Sequence, residues 1–111
     1  MTLHKAEKLV IITEKIISQG VCDIIEACGG TGYTIMAAGG KGSRNVRSMP
    51  ERATVVGDFA NVKIEVIVND KATAETIMNR VADRYFANYP GITYVEDVEI
   101  LRPKKFGEPS Q

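Results

Sequence analysis

The chain has no tryptophan, one histidine, two cysteines and no net charge, fourteen Lys and Arg offsetting fourteen Asp and Glu. The missing basic surplus argues against a bulk nucleic-acid or anionic-membrane binder. A zinc site lacks a ligand set, because neither cysteine has a C-x-x-C partner and His4 lies close to the terminus. Cys22 and Cys28 fall on one expected helix, about 9 Å apart along its axis and roughly 240° apart around it, too distant for a bridge. Both read as packing or surface thiols. No apolar run approaches the roughly 20 residues of a membrane span, and Met-Thr-Leu-His-Lys-Ala-Glu-Lys lacks the apolar block of a signal peptide. A cytoplasmic protein is expected. With 111 residues, 44% of them hydrophobic and 25% charged, the chain suits one folded domain, residues 1–111, with a single core.

The periodicity gives an order of elements. Leu9, Val10, Ile11 and Ile12 form an unbroken β-favouring run, the expected first strand. Ile17, Val21, Ile24, Ile25 and Cys28 then recur at helical spacing, and Gly29-Gly30 supplies the left-handed residue that commonly ends a helix. Tyr33 to Ala38 reads as a second strand. Val62, Ile64, Val66 and Val68 alternate with mostly polar neighbours as a third strand with one buried face. Asp70 can cap a helix whose stripe is Ala74, Ile77, Met78, Val81, Ala82, Tyr85 and Phe86. After Asn88-Tyr89-Pro90-Gly91, residues Ile92 to Leu101 alternate again, with Glu96 on the apolar side of the strand. A bulge near Glu96-Asp97, or a cation from another subunit, would accommodate that charge. Asp97 and Glu99 are expected to face solvent or to pair with Lys104 and Lys105.

Strand, helix, strand, long loop, strand, helix, strand is the α+β, ferredoxin-like β-α-β-β-α-β arrangement: an antiparallel sheet with two helices on one face. The other face is left bare. Tyr33, Ile35 and alternate residues of the third and fourth strands are expected there, too apolar to leave in water, so association through that face follows.

Between Gly39 and Val56 the periodicity vanishes for about 18 residues, a length usually reserved for function or mobility. Lys41, Arg44, Arg47 and Arg52 face one acid, Glu51, in this segment. Glycines beside cations suit a phosphate, since backbone N–H groups can approach its oxygens and arginine can grip them bidentately. A solvated loop whose charges prevent aggregation has the same composition, and both readings stand at this point. The segment is not a P-loop, because Gly42 follows Gly40-Lys41 and Ile35 precedes Gly40 by five. Nor is it a dinucleotide fingerprint, which needs a third glycine and a following helix. Ser43 and Ser48 have no evident general base, and no carboxylate pair is marked by spacing. Asn61, Lys63 and Glu65 replace the stacking aromatics that RNA binding on this topology would need.

Gly39-Gly40-Lys41-Gly42-Ser43-Arg44-Asn45-Val46-Arg47, set between the second and third strands, resembles the SbtB family of cyanobacterial PII-like carbon-sensing proteins. The likeness extends through Leu9-Val10-Ile11-Ile12-Thr13-Glu14 and Val55 to Val68. The resemblance implies a homotrimer that binds AMP, cyclic AMP, ADP and ATP between subunits, with no resident cofactor or metal. It also implies association with the sodium-dependent bicarbonate transporter SbtA, hence a cytoplasmic protein held peripherally at the membrane. Residues 39–56 would be its T-loop. Gly39, Gly40, Lys41, Gly42 and Ser43 would form the loop base beside the nucleotide, with Arg44 and Arg47 at its phosphates. Gly91 and Ile92 would approach adenine and ribose, and Arg102 a neighbouring subunit's phosphate. Relatives ending in Cys-Gly-Pro-x-Gly-Cys are associated with redox control and slow ATP or ADP phosphohydrolysis, whereas the short tail 103–111 ends Phe106-Gly107-Glu108-Pro109-Ser110-Gln111. A regulatory binding protein is therefore expected rather than an enzyme, with slow phosphohydrolysis in the same cleft as the alternative.

Overall fold

A computed structural model describes residues 2–39 and 60–101. Strand β1 is His4–Glu14, a single 3-10 turn Lys15–Ile17 leads into helix α1 at Ser18–Ala27, and β2 is Tyr33–Ala38. Strand β3 is Asn61–Val68, helix α2 is Lys71–Tyr85 and β4 is Gly91–Ile100. The sheet order is β2-β3-β1-β4 and every neighbouring pair is antiparallel, as in the expected ferredoxin-like topology. β1 is much longer than its apolar run. It is paired with both β3 and β4 from Glu7 onward and with β4 alone from His4 to Ala6, and these ladders hold the charged residues before Leu9 in the strand.

Both helices bury their stripes against one face. Leu9, Ile11, Val62, Ile64, Val66 and Val68 of the sheet meet Val21, Cys22 and Ile25 of α1 and Ala74, Ile77 and Val81 of α2. Each fully buried branched side chain contributes roughly 1.5–3 kcal/mol. Gly29, at φ 99°, closes α1, and the Gly30 amide donates back to the Ile25 carbonyl at 2.9 Å. Gly20 leaves room for the Tyr85 side chain of α2, since a Cβ there would collide with the Tyr85 hydroxyl. The Asp70 carboxylate accepts the Thr73 amide at 2.7 Å, capping α2.

Two expectations about the sheet faces are corrected. Tyr33 and Ile35 do not lie on the bare face: their partners are Val66 and Ile64, which are core residues, and the Tyr33 hydroxyl donates to Glu26 of α1 at 2.7 Å. Ile35 remains exposed because β2 is an edge strand. The bare face is mixed in character, carrying Lys8, Val10, Ile12, Lys63, Glu65, Ile67, Met36, Ile92, Tyr94 and Glu96. Nor does Glu96 need a bulge or a second subunit. β4 pairs with β1 without interruption, and Lys8 of the same chain lies 3.3 Å from Glu96 and 4.0 Å from Glu65. Asp97 finds its cation on α2, Lys71 at 3.5 Å; Lys104 and Lys105 lie outside the described residues.

Candidate functional site

The end of the sheet where β1 and β2 finish and β3 and β4 begin holds a pocket of about 480 Å³. β1 contributes Ile12 and Thr13, the end of β2 gives Ala38 and Gly39, and β3 gives Asn61. Phe86, Tyr89 and Pro90 come from the turn after α2, and Gly91 and Ile92 from β4. Register explains the convergence, because Thr13 pairs with Gly91 and Val62, Ile12 with Ile92 and Lys63, and Ala38 with Asn61. Residues from both sheet faces meet at this end: Ile12 and Ile92 from the bare face, Thr13 and Gly91 from the helix side.

Hydrogen bonds hold the walls. The Thr13 hydroxyl donates to the Pro90 carbonyl at 2.9 Å, and the Lys15 amide to the Ala60 carbonyl at 2.7 Å, just before β3. Gly91 is a close approach rather than a turn residue. A Cβ there would lie 2.5 Å from Phe86 Cε1 and 3.0 Å from Thr13 Oγ1. The described lining includes no carboxylate and no Lys or Arg. It offers apolar and aromatic surface, the Thr13 and Tyr89 hydroxyls, the Asn61 amide and open backbone, a lining that suits a flat heterocycle with a few polar edges.

The opposite end of the sheet differs in chemistry. Glu7 faces Asp97 across the β1–β4 ladder, and Lys5, Lys71 and Glu99 surround them. Burial of its carboxyl, and then Asp97 beside it, push Glu7 above the usual carboxylate range. The hydrogen bond with Glu7, followed by the Lys71 charge, holds Asp97 below that range. Elsewhere Cys22 and Cys28 are free, and burial pushes the Cys22 thiol up, which disfavours the thiolate. Among the described residues no cluster of His, Cys, Asp and Glu could hold a metal ion.

Of the residues singled out from sequence, Gly39, Gly91 and Ile92 come together in the pocket. Gly40, Lys41, Gly42, Ser43, Arg44, Arg47 and Arg102 lie outside the described residues. Sequence reasoning missed Ile12, Thr13, Ala38, Asn61, Phe86, Tyr89 and Pro90. A signal existed for two of them. Thr13 is the first polar residue after an apolar strand run, and Tyr89 is an aromatic inside a turn that would otherwise be all polar, Pro and Gly.

Residues 6–105 match the family model of nitrogen regulatory protein P-II. A PII-like signalling protein of Thermus thermophilus shares 31% identity at a TM-score of 0.76, over 96% of this chain and 99% of that one. CPII of Thiomonas intermedia, solved with ADP and bicarbonate, is 28% identical at a TM-score of 0.78, over 95% and 97% of the two chains. The same protein with ADP, AMP and acetate gives 27% and 0.74, over 96% and 98%. A match across nearly the whole length, on the topology described above, settles the relationship: the chain belongs to the nitrogen regulatory protein P-II family.

Proposed function

We propose that this protein is a PII-like regulator that binds adenine nucleotides, AMP, cyclic AMP, ADP and ATP, in the pocket at the Thr13–Gly91 end of the sheet. The observation that carries the reading is the meeting of Gly39, Gly91 and Ile92 in one pocket, at the foot of the segment that holds Lys41, Arg44 and Arg47. The described walls supply shape and apolar contact for adenine but no cation, and the four cations of residues 41–52 supply the charge a phosphate requires. CPII, bound to ADP and AMP, supports the same ligand class.

The finer reading is of the SbtB kind: a homotrimer whose nucleotide state governs its association with the bicarbonate transporter SbtA in inorganic carbon acclimation. The bicarbonate bound by CPII supports a link to inorganic carbon within this family. Ile92 is 57% exposed and Met36 37% exposed on the bare face, where neighbouring copies would cover them. No described helix is long and apolar enough to cross a membrane. In this reading membrane association comes through the transporter. We assign regulation rather than catalysis. The described lining has no carboxylate, histidine or cysteine to act as a general base. A nucleotide then acts by its differential affinity for the transporter-binding and transporter-free states.

The test is a thermal-shift panel of AMP, cyclic AMP, ADP, ATP and GTP on the native protein and Arg44→Ala. A ligand at about 100 times its dissociation constant stabilises a one-site protein by roughly 2.7 kcal/mol. Adenine-selective shifts that weaken in Arg44→Ala support the reading, and no shift with any nucleotide overturns it. Phosphate release from ATP by phosphatase-free protein would favour the hydrolase instead.

A further inference from the structure

We infer that Thr13 is a positioning residue of this pocket: its hydroxyl latches the Pro90–Gly91 wall to the end of β1 and thereby sets the shape a nucleotide meets. The inference rests on the nucleotide reading above and adds a residue that neither the loop motif nor the resemblance assigns.

Thr13 is 3% exposed and forms, with Gly91, the last pair of the β1–β4 ladder. Pro90 lies one residue beyond that ladder and has no N–H, so its carbonyl is the backbone group left to fasten it. The Thr13 hydroxyl takes that carbonyl at 2.9 Å, extending the attachment of the turn by one residue. The start of the turn is already held, the Asn88 and Tyr89 amides donating to the Tyr85 carbonyl at 3.0 and 2.9 Å. Thr13 thus supplies the second anchor, and between the two anchors Phe86 is pressed onto Gly91. The 3-10 turn directly after this strand secures the facing wall, because the Lys15 amide donates to the Ala60 carbonyl, next to Asn61. Without the hydroxyl, the ladder still ends at Gly91 and the core is untouched, but the Pro90 carbonyl loses its partner and the wall can move away from the ligand.

The experiment measures AMP affinity by isothermal titration for the native protein, Thr13→Val and Thr13→Ser. Valine keeps the volume and removes the hydroxyl, while serine keeps the hydroxyl and removes the methyl. Loss of one hydrogen bond's worth of positioning predicts about fivefold weaker AMP binding in Thr13→Val and affinity within about twofold of native in Thr13→Ser. Rescue by serine is the readout that a packing role would not produce. Native-like affinity in Thr13→Val overturns the latch and leaves the nucleotide reading standing, and equal losses in both variants overturn it in favour of packing. Absence of AMP, ADP and ATP binding to the native protein overturns the nucleotide reading and the latch with it. Thr13→Ala, which also lacks the hydroxyl, carries the same comparison if the valine variant does not fold.

Discussion

The two ends of the β1–β4 ladder are built from the same strands and do opposite things. At the Thr13–Gly91 end the described walls carry no carboxylate, lysine or arginine, a glycine allows a phenylalanine onto the backbone, and a pocket opens. At the Glu7–Asp97 end two carboxyls face each other, with Lys5, Lys71 and Glu99 around them. The difference shows what each strand end does. The charged end fastens the start of α2 to the sheet through the Lys71–Asp97 contact at 3.5 Å, and the uncharged end leaves an open pocket with a largely apolar described lining. An ion pair as exposed as this one is screened by solvent and adds little stability, so the charged end fixes geometry more than it stabilises the fold.

Filling the pocket end has the largest expected effect. Gly91→Val places methyl groups where Phe86 and Thr13 already crowd the backbone, so it should abolish AMP binding in a titration and lower stability by about 1–3 kcal/mol in urea unfolding. Retained binding would remove Gly91 from the site. Next comes the cap at the opposite end. Asp70→Ala should cost about 1 kcal/mol in the same unfolding assay and leave AMP affinity unchanged, since it loosens α2 at the end remote from the pocket. Its pH dependence has a definite sign. The hydrogen bonds from Thr73 hold Asp70 below the usual carboxylate range, so its contribution is full above that range and is lost as pH falls through the lowered value. The difference between native protein and variant should therefore vanish in acid.

The smallest effect belongs to Glu7. Its carboxyl is pushed above the ordinary range, so the native state binds the proton more tightly than the unfolded chain, and stability falls as pH rises from the ordinary value through the raised one. Glu7→Gln should raise the melting temperature slightly at neutral pH, with the gain fading as the solution is acidified below the usual carboxylate range. A gain independent of pH would show that ionisation of the Glu7 carboxyl, disfavoured by its burial and by Asp97, is not the source of the strain.

Much of the architecture was legible in the sequence because it depends on short-range periods. The alternation at Val62 to Val68 and the stripe from Ala74 to Phe86 each name their own buried side, and Asp70 and Gly29 mark helix ends by local chemistry. What alternation leaves open is which side of one strand matches which side of the next. Tyr33 and Ile35 were expected on the bare face, and only the pairing of Ile35 with Ile64 places them beside the helices. Glu96 poses the same problem: its neighbour Lys8 is 88 positions away and becomes a partner through register alone. The site was partly legible for a related reason. Gly39, Gly91 and Ile92 were picked out by the resemblance, whereas Thr13, Asn61, Phe86 and Tyr89 read as strand ends, helix stripe and turn until four elements meet.

The most direct test of the account is a pair of amide-resolved NMR spectra of the labelled protein, with and without saturating ADP. The account predicts large shifts at the amides of Gly39, Gly91 and Ile92 and unchanged signals at Glu7 and Asp97. Shifts centred on Glu7 and Asp97, or none at Gly39 and Gly91, would contradict it.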